Sequence, residues 1–285
     1  MKHINVKRIA AAALAVCATL TFAACGSGAS GASSETSTLD SVLKAKTLKV
    51  GVVLSIPPAE SKDKNGNPVG YDIDLANQLG ESLGAKVEYV DMSADARISS
   101  LETGKVDVLF TQITQTLDRA QKVAFTDPYV ASAPVIVTTK SSSISTAKDL
   151  SGKNVGILKG TTFDKLLDST VSGANKQYFT DTASQTTALK NNQIDAFIYD
   201  GNSSYYMAKQ DNDLKILDGT IGSLEYNGMA VKRGDQQWLN YLNQFVFQVI
   251  SDGTNAKLYK KYYGLDMPFS PLLSESTGTS TTSQE

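Results

Sequence analysis

The chain has 285 residues, 41% of them hydrophobic, and its 27 basic and 29 acidic side chains give a formal charge of −2. That balance offers no basic face for nucleic acid. Its one histidine, His3, and both cysteines, Cys17 and Cys25, fall within the first 25 residues, so the rest of the chain can build no Ser-His-Asp or Cys-His nucleophile, no His/Cys zinc site and no disulfide.

Lys2, Lys7 and Arg8 precede an uncharged run from Ile9 to Ala24 that ends at Cys25. The run is short for a membrane span of about 20 residues, and Ala23-Ala24-Cys25-Gly26-Ser27 supplies the small residues of a cleavage site. Residues 1–24 are therefore expected to be an export signal. The stretch resembles a lipobox, with Phe22 where leucine is usual. The resemblance implies cleavage before Cys25 and a lipid on its sulfur. Losing Lys2, Lys7 and Arg8 leaves 24 basic against 29 acidic residues, a net charge of −5. Residues 25–37 read as a flexible tether and 271–285 as a polar tail, both too poor in apolar residues to order themselves.

Between them, short apolar runs alternate with helical patterns. TLKVGVVL (47–54) reads as a buried strand, and Asp72 as the cap of a helix whose Ile73, Ala76, Leu79 and Leu83 share one face. KVEYV (86–90), a helix through Ile98 and Leu101, and KVDVLFT (105–111) complete a βαβ rhythm, which implies a mostly parallel sheet covered by helices. After an extended stretch at 132–140 the rhythm restarts with KNVGILK (153–159), a helix from about Thr161 to Thr170, NKQYF (175–179), a helix over 182–191 and IDAFIYD (194–200). A second extended segment, 226–233, leads to two amphipathic helices over 235–264. The expectation is an α/β protein of two lobes, 38–133 with 229–270 and 134–228, joined by two hinge crossings around a ligand cleft.

Ligands of open α/β sheets bind beyond the carboxyl ends of the strands, and three such places here are polar. Gln112-Ile113-Thr114-Gln115-Thr116-Leu117-Asp118-Arg119 follows the strand at 105–111, Gly160-Thr161-Thr162 follows 153–159, and Tyr199-Asp200-Gly201 ends 194–200. A free amino acid is a zwitterion, and both its charges need fixed partners when it leaves water. Arg119 can fork onto an α-carboxylate that the Thr161 and Thr162 amides share at a helix start, and Asp200 can meet the ammonium. Taken singly, Arg119 fits a surface ion pair, Thr161 and Thr162 a plain helix cap, Asp200 an N-cap, Tyr199 a core residue and Arg97 a solvated helix position. Their joint occurrence at successive strand ends favours a binding site.

Those residues, with Gly70-Tyr71-Asp72-Ile73-Asp74-Leu75, the run from Ser100 to Ala120, Phe125-Thr126-Asp127-Pro128-Tyr129, Asp149-Leu150-Ser151-Gly152-Lys153 and Asp252-Gly253-Thr254, resemble the polar amino-acid family of periplasmic-type solute-binding proteins over roughly residues 40–265. The resemblance implies a type II periplasmic-binding-protein fold and a monomer without cofactor, metal or catalytic residues. It further implies that the protein delivers its ligand to an ABC permease and its ATPase from an extracytoplasmic, lipid-anchored position. By it, Thr114 and Arg119 hold the ligand carboxylate from one lobe, Thr161 and its neighbours from the other, and Asp200 holds the ammonium. Gln112 would turn its amide into the pocket, and Arg97 would reach the ligand side chain. Val53 to Ala59 and Ser93 to Ala96 lack the family's stacking aromatics, which points away from basic ligands and toward the glutamate, aspartate, glutamine or cystine class. An exported dehydratase on the same scaffold, or a solute-binding sensory lipoprotein, are the alternatives. The dehydratase needs an acid with a raised pKa in the cleft.

Overall fold

The computed structural model describes residues 36–267; the expected export signal, Cys25 and residues 268–285, the expected tail 271–285 among them, lie outside them. The first half runs α1 (Thr38–Ala45), β1 (Thr47–Val52), β2 (Ser61–Lys62), β3 (Pro68–Val69), α2 (Tyr71–Leu83), β4 (Lys86–Asp91), α3 (Arg97–Glu102), β5 (Val108–Thr114), α4 (Leu117–Ala120), β6 (Val123–Phe125) and β7 (Val130–Ser132). The second runs β8 (Pro134–Thr139), β9 (Asn154–Leu158), α5 (Phe163–Thr170), β10 (Asn175–Phe179), α6 (Thr182–Lys190), β11 (Ala196–Asp200), α7 (Gly201–Gln210), β12 (Leu214–Ile216), β13 (Glu225–Lys232), α8 (Gln236–Ser251) and α9 (Thr254–Tyr263).

Two main sheets result. One has the order β4-β1-β5-β13-β6, with β7 paired to β13; the other is β10-β9-β11-β8-β12. The strands of the βαβ rhythm, β4-β1-β5 and β10-β9-β11, pair in parallel, as helical crossovers require. Their buried runs, such as β5 and β11, carry apolar residues on both faces because helices cover both. The extended stretches at 132–140 and 226–233, expected as hinge crossings, are largely strand. They supply β8 and β13, each antiparallel to its neighbours within a single sheet. The chain passes from one sheet to the other at Ala133 and again between Ile216 and Glu225.

Each sheet has its own core. Trp238, Tyr71, Tyr129, Tyr259 and Tyr263 dominate the first, with the apolar face of α2; Phe197, Tyr199, Leu150 and Ile157 belong to the second. At about 25 cal/mol per Å² of apolar area, such clusters are the main stabilising term of each half.

Asp72 does not cap α2. Gly70 holds the N-cap position at φ +143°, where a Cβ would lie 2.1 Å from the Ala59 carbonyl oxygen. Backbone bonds from Tyr71 and Asp72 to Pro58 and Ala59 fix the helix start, so the Asp72 carboxyl turns inward and is fully buried. β5 also runs three residues further than its apolar pattern, because β13 pairs Asn227 with Thr114 and Gly228 with Ile113 across an irregular register. Gln112 sits there at φ +40°, a conformation that costs a non-glycine residue about 1–3 kcal/mol and persists only where its surroundings enforce it.

Candidate functional site

The ends of the parallel strands of both sheets face one small cavity of about 40 Å³, where one water needs roughly 10–15 Å³. Arg97, Gln112, Thr114 and Arg119 line it from the first sheet, and Thr161, Thr162, Tyr199 and Asp200 from the second. All eight residues singled out in the sequence thus border the same space, though not all turn their side chains to it.

The two arginines converge. Arg119 leaves the short helix α4, whose start is fixed by Thr116 Oγ1 accepting from the Arg119 amide at 3.2 Å. Its Nη1 donates to the Thr114 carbonyl at 2.6 Å and its Nη2 to the Gly160 carbonyl at 2.8 Å. Arg97 is no solvated helix residue: it is 5% exposed and donates to Ala94 O at 2.8 Å, Thr111 O at 3.3 Å and Gly160 O at 3.0 Å. One carbonyl of the second sheet's loop therefore takes a guanidinium from each arginine. Burial, and then the charge of Arg119, pulls the Arg97 pKa down to about 10; burial lowers Arg119 too, opposed by Glu225. A guanidinium has five N–H groups, so Arg119 keeps three donors and Arg97 two beyond these bonds.

Asp200 ends β11 and stands at the N-cap position of α7 without a side-chain cap bond. Burial first, and the charge of Glu225 second, push its carboxyl up to about 7, while Arg97 opposes the shift. Tyr199 is both core and rim: its ring packs edge-on against Phe163 and Phe197, and its hydroxyl accepts from Thr182 Oγ1 at 3.1 Å. The Thr161 hydroxyl donates to Leu158 O at 2.7 Å.

Gln112 departs from expectation. With φ reversed at the irregular β5–β13 register, its Nε2 donates to Tyr263 OH at 2.5 Å, and Tyr129 OH accepts from its backbone amide. The side-chain amide points into the core beneath the cavity rather than into it. There it meets Asp72, which is fully buried, as is Glu60. Val53 N donates to Glu60 Oε2 at 2.7 Å and Tyr129 OH to Asp72 Oδ1 at 3.2 Å. Burial raises both acids, Asp72 to about 8, and Asp72 raises Glu60 further. Two carboxyls so placed hold at least one proton at neutral pH, because like charges in a dry site cannot both form.

Sequence patterns missed Glu225, the first residue of β13. It accepts from Thr114 Oγ1 of the first sheet and from Thr162 Oγ1 at the end of the second. Its place beside a crossing between sheets was the one available signal. Among the described residues no cluster of three or more His, Cys, Asp or Glu could hold a metal ion, and no helix is long and apolar enough to cross a membrane.

The sequence profile of bacterial extracellular solute-binding proteins, family 3, matches residues 48–265. The L-cystine-binding protein TcyJ of Escherichia coli (strain K12) is 29% identical over 231 residues, 80% of this chain and 87% of that protein. Among solved structures, a mutant of ArgBP from T. maritima is 33% identical with a TM-score of 0.76, covering 80% of this chain and all of the other. The ancestral amino acid-binding protein AncCDT-1, described as a precursor of cyclohexadienyl dehydratase, is 34% identical with a TM-score of 0.76, at the same coverage of 80% and 100%.

Proposed function

The chain belongs to the bacterial extracellular solute-binding proteins of family 3, with their type II periplasmic-binding-protein fold and solute-binding role. From that premise we propose that it captures a polar L-amino acid between its two lobes and delivers it, chemically unchanged, to an ABC importer. Arg119 forks onto the ligand carboxylate with its free N–H groups, joined by the Thr161 and Thr162 amides at the start of α5, and Asp200 takes the ammonium. Arg97 lies within reach of the side chain. The observation that carries the reading is the meeting of a buried guanidinium, Arg97, and a half-buried one, Arg119, from one sheet with a carboxyl from the other at one cavity. Such charges are costly to bury, and a zwitterion supplies the partner each one lacks.

Calorimetry across the twenty amino acids plus cystine tests the reading: one tight polar class is expected, and no binding by any of them overturns it. Asp200, held near neutrality, is also the kind of acid a dehydratase would use. Mass analysis of recovered ligand separates the two, since a receptor returns it intact. Delivery is checked by stimulation of the cognate permease's ATPase in proteoliposomes. Anchoring at the cell membrane rests on Cys25, and palmitate labelling that persists in Cys25→Ser would refute it.

A further inference from the structure

A second cavity, of about 400 Å³, lies apart from the strand ends and falls within the size range of small-molecule sites, roughly 300–1,000 Å³. Ser132 and Tyr259 line it from the first lobe, Asn202 and Tyr205 from the second, and Ala133 and Leu224 from the two crossings between the sheets. Neighbours in sequence separate it from the cleft. Leu224 lines this cavity, whereas the next residue, Glu225, accepts from Thr114 and Thr162 at the smaller one. Asp200 lines the smaller cavity, and Gly201 and Asn202 line the larger. The crossings therefore run between the two spaces, with the ligand cleft in front and this cavity behind.

Two lobes that turn on such crossings narrow one space as they widen the other. Here the lobes are drawn together at the cleft, where both arginines reach Gly160 O, and the rear cavity is wide. An occupant of the rear cavity thus favours this arrangement over an opened one, which is the differential affinity a ligand needs to shift the balance between them. The lining defines what fits. Tyr205, Leu224 and Leu265 supply apolar walls. Asn202 turns a buried amide toward the Tyr259 hydroxyl, yet its Nδ2 closes no hydrogen bond. Ser132 Oγ accepts from the Asn202 backbone amide at 3.3 Å, which leaves its own proton to give. The wall is therefore short of acceptors. Among the described residues Asp266 is the one charged side chain lining it, so no cation is present to hold an anionic acceptor.

We propose that the cavity behind the crossings is a second, regulatory site for a small uncharged ring compound bearing a carbonyl oxygen, and that its occupancy holds the lobes together and tightens the grip on the amino acid in the cleft. The inference rests on the two-lobed receptor reading above and adds to it a site that shares no side chain with the cleft.

Benzamide is the probe, with benzoate, which adds a charge, and benzylamine, which lacks the carbonyl, as controls. A site of unmet donors rejects an analogue without the acceptor, so NMR titration of the full chain should show benzamide binding about tenfold or more tighter than either control, and Tyr205→Ala should abolish it. Saturating benzamide should tighten calorimetric affinity for the amino acid by about fivefold or more, and the amino acid should tighten benzamide by the same factor, since coupling between sites is reciprocal. Leu224→Trp fills the space with an indole: it should block benzamide and reproduce the tightening without it. Thr220→Trp, at the other end of the same crossing, serves if thermal melts show Leu224→Trp unfolded. Small-angle scattering reads the same closure without any amino acid, as a smaller radius of gyration in the filled variant or with benzamide. No benzamide binding, or binding that leaves affinity and radius unchanged, overturns the inference and leaves the receptor reading intact. If no amino acid binds, the receptor reading falls, and the change in radius alone upholds or overturns the second site.

Discussion

The first-sheet side of the cavity presents long charged side chains, Arg97 and Arg119, braced on their own neighbourhood's carbonyls. The second-sheet side presents the Gly160 carbonyl, the Thr161-Thr162 turn and one short acid, Asp200. The difference teaches where each side is vulnerable. A change on the first side removes charge and leaves the shape. A change on the second side disturbs how closely the two sides approach.

Breaking the charge should cost most. Arg119→Ala removes the proposed partner of the ligand carboxylate, a loss of about 2–5 kcal/mol for a truncated charge pair, so titration calorimetry should show affinity falling about thirtyfold or more. Next comes protonation of the opposite side. Asp200 must be ionised to meet an ammonium, and its carboxyl is pushed up to about 7, so affinity should be constant above about pH 8 and fall roughly tenfold per pH unit below 7. In Asp200→Asn that slope should vanish along with part of the affinity; a slope that survives would move the ammonium partner elsewhere.

Shape comes third. Gly160 sits at φ +77°, and an added Cβ would stand 2.5 Å from the Asp95 amide of the first lobe. The backbone term alone is about 1–2 kcal/mol, so Gly160→Ala should weaken binding about tenfold and blunt the ligand-induced change in radius of gyration by small-angle scattering. The smallest effect lies beneath the cavity. Asp72 holds its proton up to about pH 8 when folded and to its ordinary value of 3.8 when unfolded. Its contribution is therefore fully present below the unfolded value and lost as pH rises through 8. Between pH 6 and 9 the apparent Tm should drop by a few degrees in the wild type and by less in Asp72→Asn.

Much of the site could be read from the polar strand ends, because residues just past a buried parallel strand have few other places to go. Arg119, Asp200 and the Gly160-Thr161-Thr162 turn all follow that rule. Residues whose direction depends on a partner strand did not. Gln112 and Thr114 looked like loop residues until β13 extended β5, and the same pairing turned the Gln112 amide into the core. Arg97 looked like a surface position since nothing local showed that Gly160 would cover it. Glu225 lay inside an extended segment with no pattern to mark it.

Periodicity, glycine turns and the scarcity of histidine and cysteine were enough to set two α/β units and to exclude Ser-His-Asp and Cys-His nucleophiles and His/Cys zinc sites beyond the first 25 residues, since those properties belong to neighbours along the chain or to composition. The convergence of both guanidiniums on Gly160 O, the inward turn of Asp72 and the Glu225 acceptor pair were decided only by tertiary structure. The contacts that define them join residues 41, 63 and 111 positions apart, and no local repeat can encode which distant carbonyl or carboxylate a side chain will meet.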